Sequence, residues 1–249
     1  MQSIACILSI GCLLVSLNTQ AADLNAEILQ AISVMPKLGG YDTLTAAGIR
    51  ALERACRTVN GKLVVNPTLA QPSYCTVATY LVFIQAVEKR FNVDGVTGLP
   101  DALAVHGEDD GVGIWGRWDA NGPATPCLFH ELGLGENFTD WSRAKEGDFM
   151  KISWNGLVGR DEYGHSAIFM GRRTVNGIDT VSYWSSNTGK GYGINSRPWK
   201  AFKFVIFSRL EQPEKIAGAT ALPRSNPYLS SLRHSVSSQK DALANSGVR

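Results

Sequence analysis

Gln71-Pro72-Ser73-Tyr74-Cys75-Thr76, residues 71–76, runs directly into an apolar stretch over 77–87, and this junction decides the fold. Val77, Ala78, Leu81, Val82, Ile84 and Val87 cover nearly the whole circumference of a helix, which predicts a buried helix over 73–90. Cys75 falls at or just inside its first turn. Unsatisfied backbone N–H groups and the positive end of the helix dipole meet there, and both favour thiolate over thiol. A second element, Gly164-His165-Ser166-Ala167-Ile168-Phe169, has the pattern of a strand with a histidine at its mouth. A cysteine at a helix start and a strand histidine together suit an activated thiol nucleophile.

Outward from that helix, Leu24, Ile28, Leu29 and Ile32 predict a short helix over 24–35. Asp42 or Thr43 caps a second, running to about Thr58, with Cys56 on its apolar face beside Leu44, Ile49 and Leu52. Residues 61–67 are extended. Residues 92–146 are rich in Gly, Asp and Trp and predict an insertion of loops and short helices. Strands are predicted over 148–154, 165–171, 180–185 and 203–209, fed by the turn signals Gly147-Asp148 and Asn176-Gly177. Helices followed by an antiparallel run of strands define an α+β chain. Residues 212–249 are Pro-, Ser-, Asn- and Ala-rich and predict a disordered tail.

Residues 1–22 carry an apolar core too short to span a membrane, then Ala21 and Ala22, and predict a signal peptide. The expected location is secreted or periplasmic, with no stable membrane anchor after cleavage. A net charge of +2 is too close to neutral to argue for nucleic acid. Cys56, Cys75 and Cys127 follow the signal segment, and an odd number in an oxidising compartment suggests a free thiol. Two arrangements stay open: a Cys56–Cys127 disulfide that leaves Cys75 alone, or three unbridged thiols. Glu108-Asp109-Asp110 has carboxylates suited to a hard cation, but such runs are more often solvated loops, and no metal or cofactor is expected. His106, His130 and His234 lack any matching context.

The Cys75 helix start, Gly147-Asp148-Phe149-Met150-Lys151-Ile152 and Gly164-His165-Ser166-Ala167-Ile168-Phe169-Met170-Gly171 together resemble the NlpC/P60 and CHAP group of papain-like cysteine peptidases. The resemblance covers roughly 67–211 and makes 23–66 an N-terminal helical segment. It departs from the group in its long Cys-to-His interval and in Ser73-Tyr74 where an Asp often precedes the cysteine. It implies hydrolysis of amide or peptide bonds, most often in peptidoglycan stem peptides. Cys75 would be the nucleophile and His165 its ion-pair partner and proton donor. Asn187, with Ser185 as the alternative, would orient the imidazole. The Cys75 N–H would stabilise the oxyanion, with Tyr74 or Gln71 as a second donor. Tyr74, Trp115, Trp118 and Ser185 would line the substrate path, with Lys190-Gly191-Tyr192-Gly193 near it; equally, Trp115 and Trp118 suit anchors of a long loop. Two other functions fit the chain: a papain-like acyltransferase, and a non-catalytic protein binding a surface polymer through Trp115, Trp118 and Tyr183.

Overall fold

A computed structural model describes residues 24–248; the signal peptide expected over 1–22 lies outside them. The elements in chain order are α1 (Asn25–Val34), β1 (Leu38–Gly39), α2 (Ala47–Ala55), β2 (Cys56–Val59), β3 (Lys62–Val65), α3 (Cys75–Arg90), α4 (Leu99–Leu103), α5 (Gly113–Asp119), α6 (Ala124–Leu132), β4 (Gly135–Phe138), β5 (Phe149–Ser153), β6 (Val158–Gly159), β7 (Gly164–Val175), β8 (Ile178–Asn187), β9 (Gly191–Pro198), β10 (Phe204–Leu210), α7 (Pro227–Leu232), β11 (Val236–Ser237) and α8 (Gln239–Asn245). The chain is α+β. Its centre is a seven-stranded antiparallel sheet in the order β1-β9-β8-β7-β5-β10-β4.

Helix α3 packs on one face of this sheet. Its side chains from Thr76 to Ile84 are buried throughout, and Glu88, Lys89 and Arg90 mark the one solvated end. Lys89 and Arg90 also sit in the last turn, where cations complement the dipole. The α3 face of the sheet contributes Phe149, Ile168 and Trp184 to the main core. Phe149 meets Phe83 of α3, Trp118 of α5 and Phe129 of α6 with ring centroids 6.2, 5.5 and 5.8 Å away. The opposite face carries Met150, Ile152, Ala167, Phe169, Val181, Tyr183, Val205 and Phe207, packed against Trp141, Trp154, Trp199 and Phe202. Both faces of the central strands are therefore apolar and covered.

Gly147-Asp148 ties three elements together. Asp148 is fully buried and accepts two bonds from Arg209 of β10, at 2.9 and 2.7 Å, and one from Asn25 of α1 at 2.9 Å. Gly147 has φ +98°, and a Cβ there would strike the Asn25 backbone, so only glycine fits. This tie and the packing of α1 on α3 join the described part of the N-terminal segment, 24–66, to the rest of the core.

Three expectations are corrected. Cys56 does not lie on a helix: α2 ends at Ala55, and Cys56 opens β2, paired with Val65. Residues 92–146 do hold loops and the short helices α4, α5 and α6, as expected, but they are integral to the core and not an insertion, since α5 and α6 supply Trp118 and Phe129, and β4 closes one edge of the sheet. The segment 212–249 is not a disordered tail over its described part. Residues 213–221 form a 3-10 helix, α7 and α8 follow, and β11 pairs with β6. Ile216, Leu229, Leu232 and Ala242 are buried. Few apolar residues suffice because caps start the helices: Asn226 accepts from the Leu229 N–H at 3.0 Å, and Ser238 from that of Asp241 at 3.0 Å. Arg117, itself buried, donates to the Pro223 carbonyl at 2.7 Å and bonds Glu131 at 3.0 Å. Strand β9, absent from the sequence expectation, pairs with β8 along its length.

Candidate active site

Cys75 owes its position to the segment before it. Tyr74 is extended at φ −142°, ψ 179°, so the chain enters α3 straight from an extended run. That run is pinned on several sides. Ser73 donates to Ser186 of β8 at 2.7 Å, and its backbone N–H bonds Gly40 O at 3.3 Å. The Asp42 N–H bonds Ser73 O at 3.0 Å, and the Tyr192 hydroxyl bonds Ala70 O at 2.7 Å. The thiol is thereby held between the start of α3 and the sheet.

Around the sulfur stand the backbone N–H groups of Ser166 and Thr76, the Tyr41 hydroxyl, Lys151 and Asp119. Burial, the largest influence, pushes the thiol up; the Ser166 N–H and Lys151 pull it down; Asp119 pushes it up. The Tyr41 phenol, also raised chiefly by burial, lies close to Cys75 and Thr188. Asp119 ends α5 and accepts from Thr76, and from the Tyr74 hydroxyl at 3.2 Å. Burial raises its carboxyl to about 6 against the pull of the Thr76 bond. Lys151 projects from β5, donates to Ala120 O at 3.1 Å and lies 3.7 Å from Glu162.

His165 does not join this group. The β5–β7 register pairs Ile152 with His165 and Lys151 with Ser166. Side chains alternate along a strand, so His165 shares the face of Ile152, away from α3. Its ring lies 6.0 Å from that of Trp154 and 5.6 Å from that of Tyr183. Arg197 covers the same Trp154 at 5.5 Å. Burial first, then Lys151 and Arg197, lowers the imidazole to about 3, so it is neutral at pH 7. Its Nε2 is buried and makes no hydrogen bond among the described residues. The expected Cys75–His165 ion pair is therefore corrected: the two groups face opposite sides of one strand.

The remaining expected residues are structural in this arrangement. Asn187 donates to Ser185 O at 3.1 Å and Gly193 O at 2.9 Å, closing the β8–β9 turn and not orienting His165. Ser185, fully buried, donates to Ser166 O at 2.7 Å and clamps β8 to β7. Trp115 and Trp118 are 1% and 0% exposed, and Trp118 donates to Thr79 at 3.1 Å; both belong to the core and not to a substrate path. Tyr74 reaches the site edge, but its hydroxyl is engaged by Asp119. The Gln71 side chain lies against Gly39, and Tyr192 stacks on Trp184 with centroids 6.0 Å apart. Cys56 and Cys127 are buried free thiols, so the disulfide is not formed; burial holds Cys127 up to about 12. Glu108 accepts from the His106 N–H at 3.0 Å, and Asp109 lies 3.5 Å from Arg233.

Tyr41, Asp119 and Lys151 are the site residues that sequence reasoning missed. Lys151 carried a signal: a lysine inside the strand pattern Phe149-Met150-Lys151-Ile152, where apolar neighbours bury its stem. Comparison with family models, with curated proteins and with solved structures gives no match. No helix among the described residues is long and apolar enough to cross a membrane.

Proposed function

We propose that the chain is a cysteine hydrolase of papain-like layout that cleaves amide or peptide bonds through Cys75. The observation that carries this reading is the Cys75 thiol at the start of a buried helix, half-exposed and close to the backbone N–H of Ser166 in the sheet below. A thiol used only for packing gains little from such donors, whereas a developing thiolate gains much.

In this reaction the sulfur attacks the carbonyl carbon and the π pair moves onto oxygen. The C–N bond then breaks, and the amine departs with the proton that the thiol gave up. Water hydrolyses the thioester, releasing the acid and restoring the thiol. The Cys75 backbone N–H, among the free donors of the helix start, serves the oxyanion. His165 faces away, so in this arrangement another group carries the proton.

Peptidoglycan stem peptides, outside the cytoplasm, are the proposed substrate, on the strength of the sequence resemblance. The acyltransferase alternative shares the thioester and differs only in the acceptor. The polymer-binding alternative is less well supported, because Trp115, Trp118 and Tyr183 are all buried. The test is incubation with purified peptidoglycan and measurement of new amines. Release that is lost in Cys75→Ala supports the hydrolase; release that persists in Cys75→Ala overturns it.

A further inference from the structure

We infer that Asp119 and Lys151 are positioning residues for Cys75, setting the reactivity of its thiol with opposite signs. The inference rests on the reading of Cys75 as a nucleophile. Its basis is where the two charges stand. Asp119 bonds the side chains on both sides of Cys75: the Tyr74 hydroxyl at 3.2 Å and the Thr76 hydroxyl. It thus fixes the turn that aims the sulfur. Lys151 rises from β5 directly opposite Ser166, the residue whose N–H lies close to the sulfur. Its side chain is 10% exposed and anchored on Ala120 O, the residue after Asp119. One short stretch, Asp119-Ala120, therefore holds one charge and the anchor of the other.

The charged and titratable groups around this set are few. Tyr41 and Tyr74 face the sulfur and Asp119. Asp110 adds negative charge near Asp119, and Glu162 pairs with Lys151. In this half-buried setting a carboxylate opposes a second negative charge on sulfur, and an ammonium favours it. Asp119 titrates at about 6, so its opposition is present at neutral pH and is lifted as the pH falls through that value.

The test is the pH profile of Cys75 alkylation by iodoacetamide in the full chain, from about pH 5 to about pH 10. Labelled peptides are identified by mass, and the buried Cys56 and Cys127 serve as internal controls. Asp119→Asn should lower the apparent pKa of Cys75 by about one unit or more. At pH 7 that gives ~10-fold more thiolate and roughly three-fold faster labelling, since nucleophilicity falls with pKa. Lys151→Met should shift the profile the other way by a similar amount, and Lys151→Arg should restore it. Tyr74→Phe removes one bond to Asp119 and keeps its charge. It should move the Asp119 inflection upward from about 6, and it serves where Asp119→Asn does not fold. Folded variants that keep the wild-type profile overturn this inference and leave the nucleophile reading standing. A folded wild-type chain whose Cys75 stays unlabelled throughout overturns both.

Discussion

Cys75 and His165 stand on opposite sides of strand β7. Ser166, one residue beyond the histidine, brings its backbone N–H close to the Cys75 sulfur, while the imidazole packs beside Trp154 and Tyr183 on the far face. One residue step along a strand turns a side chain through the sheet, so adjacency in sequence here means separation in chemistry. His165→Gln should therefore leave the rate of Cys75 alkylation unchanged at neutral pH. A clear slowing would mean that the imidazole reaches the sulfur in solution.

The buried imidazole makes the fold acid-sensitive. The folded chain takes up no proton at His165 until about pH 3, whereas the unfolded chain does so near pH 6.5. The unfolded state thus binds more protons in that window. The His165 contribution to stability is complete above pH 6.5 and is lost as the pH falls toward 3, with a limiting slope of ~1.4 kcal/mol per pH unit. His165→Phe should flatten this limb in denaturant titrations at successive pH values. An unchanged slope would show that the ring is solvated.

Asp148→Ala should destabilise the fold by about 3 kcal/mol, because it removes the fully buried carboxylate that pairs with Arg209, which keeps the partly exposed Glu136 as an ion partner, and one bond from Asn25 of α1. Urea unfolding measures this directly. A loss under about 1 kcal/mol would place the pair among solvent-screened bridges.

Trp118→Ala should cost about 3–5 kcal/mol, as expected for emptying a large core site. Weaker substrate binding with unchanged stability is the outcome that a substrate-lining tryptophan would give.

Ending the chain after Glu211 should expose the Ile216 and Leu229–Leu232 contacts and leave Arg117 without its Pro223 carbonyl. The melting transition should fall steeply or lose cooperativity. A melt identical to the full chain would mean that the C-terminal segment contributes nothing to the fold.

Much of this architecture was legible in the residues. The buried helix behind Cys75 was plain because its apolar positions cover the whole circumference, and β5, β7, β8 and β10 were announced by turn residues and apolar runs. The facing of β7 was not legible. His165, Ser166, Ala167, Ile168 and Phe169 are buried on both faces, so the two-residue period carried no signal for which side meets α3. Asp119 was hidden for a different reason: a lone carboxylate in a sequence looks like surface until packing half-buries it, whereas Lys151 stood out by its place inside an apolar strand. The order of 213–248 was masked by composition, because two caps and a handful of leucines are swamped by Ser, Pro and Ala. Strand β9, with glycines at 191 and 193 and polar residues after them, has little strand propensity of its own; pairing with β8 makes it a strand.

Gly147-Asp148 helped to bring this chain beside a family of peptidases, yet its work here is to knot α1, β5 and β10 together. A dipeptide with that duty would survive in descendants that had lost every trace of chemistry, because a chain without it would struggle to fold. Finding it in a related sequence therefore attests to shared architecture. Evidence on the proposed catalysis has to come from the groups around the sulfur: Tyr41, Asp119, Lys151 and Cys75 itself.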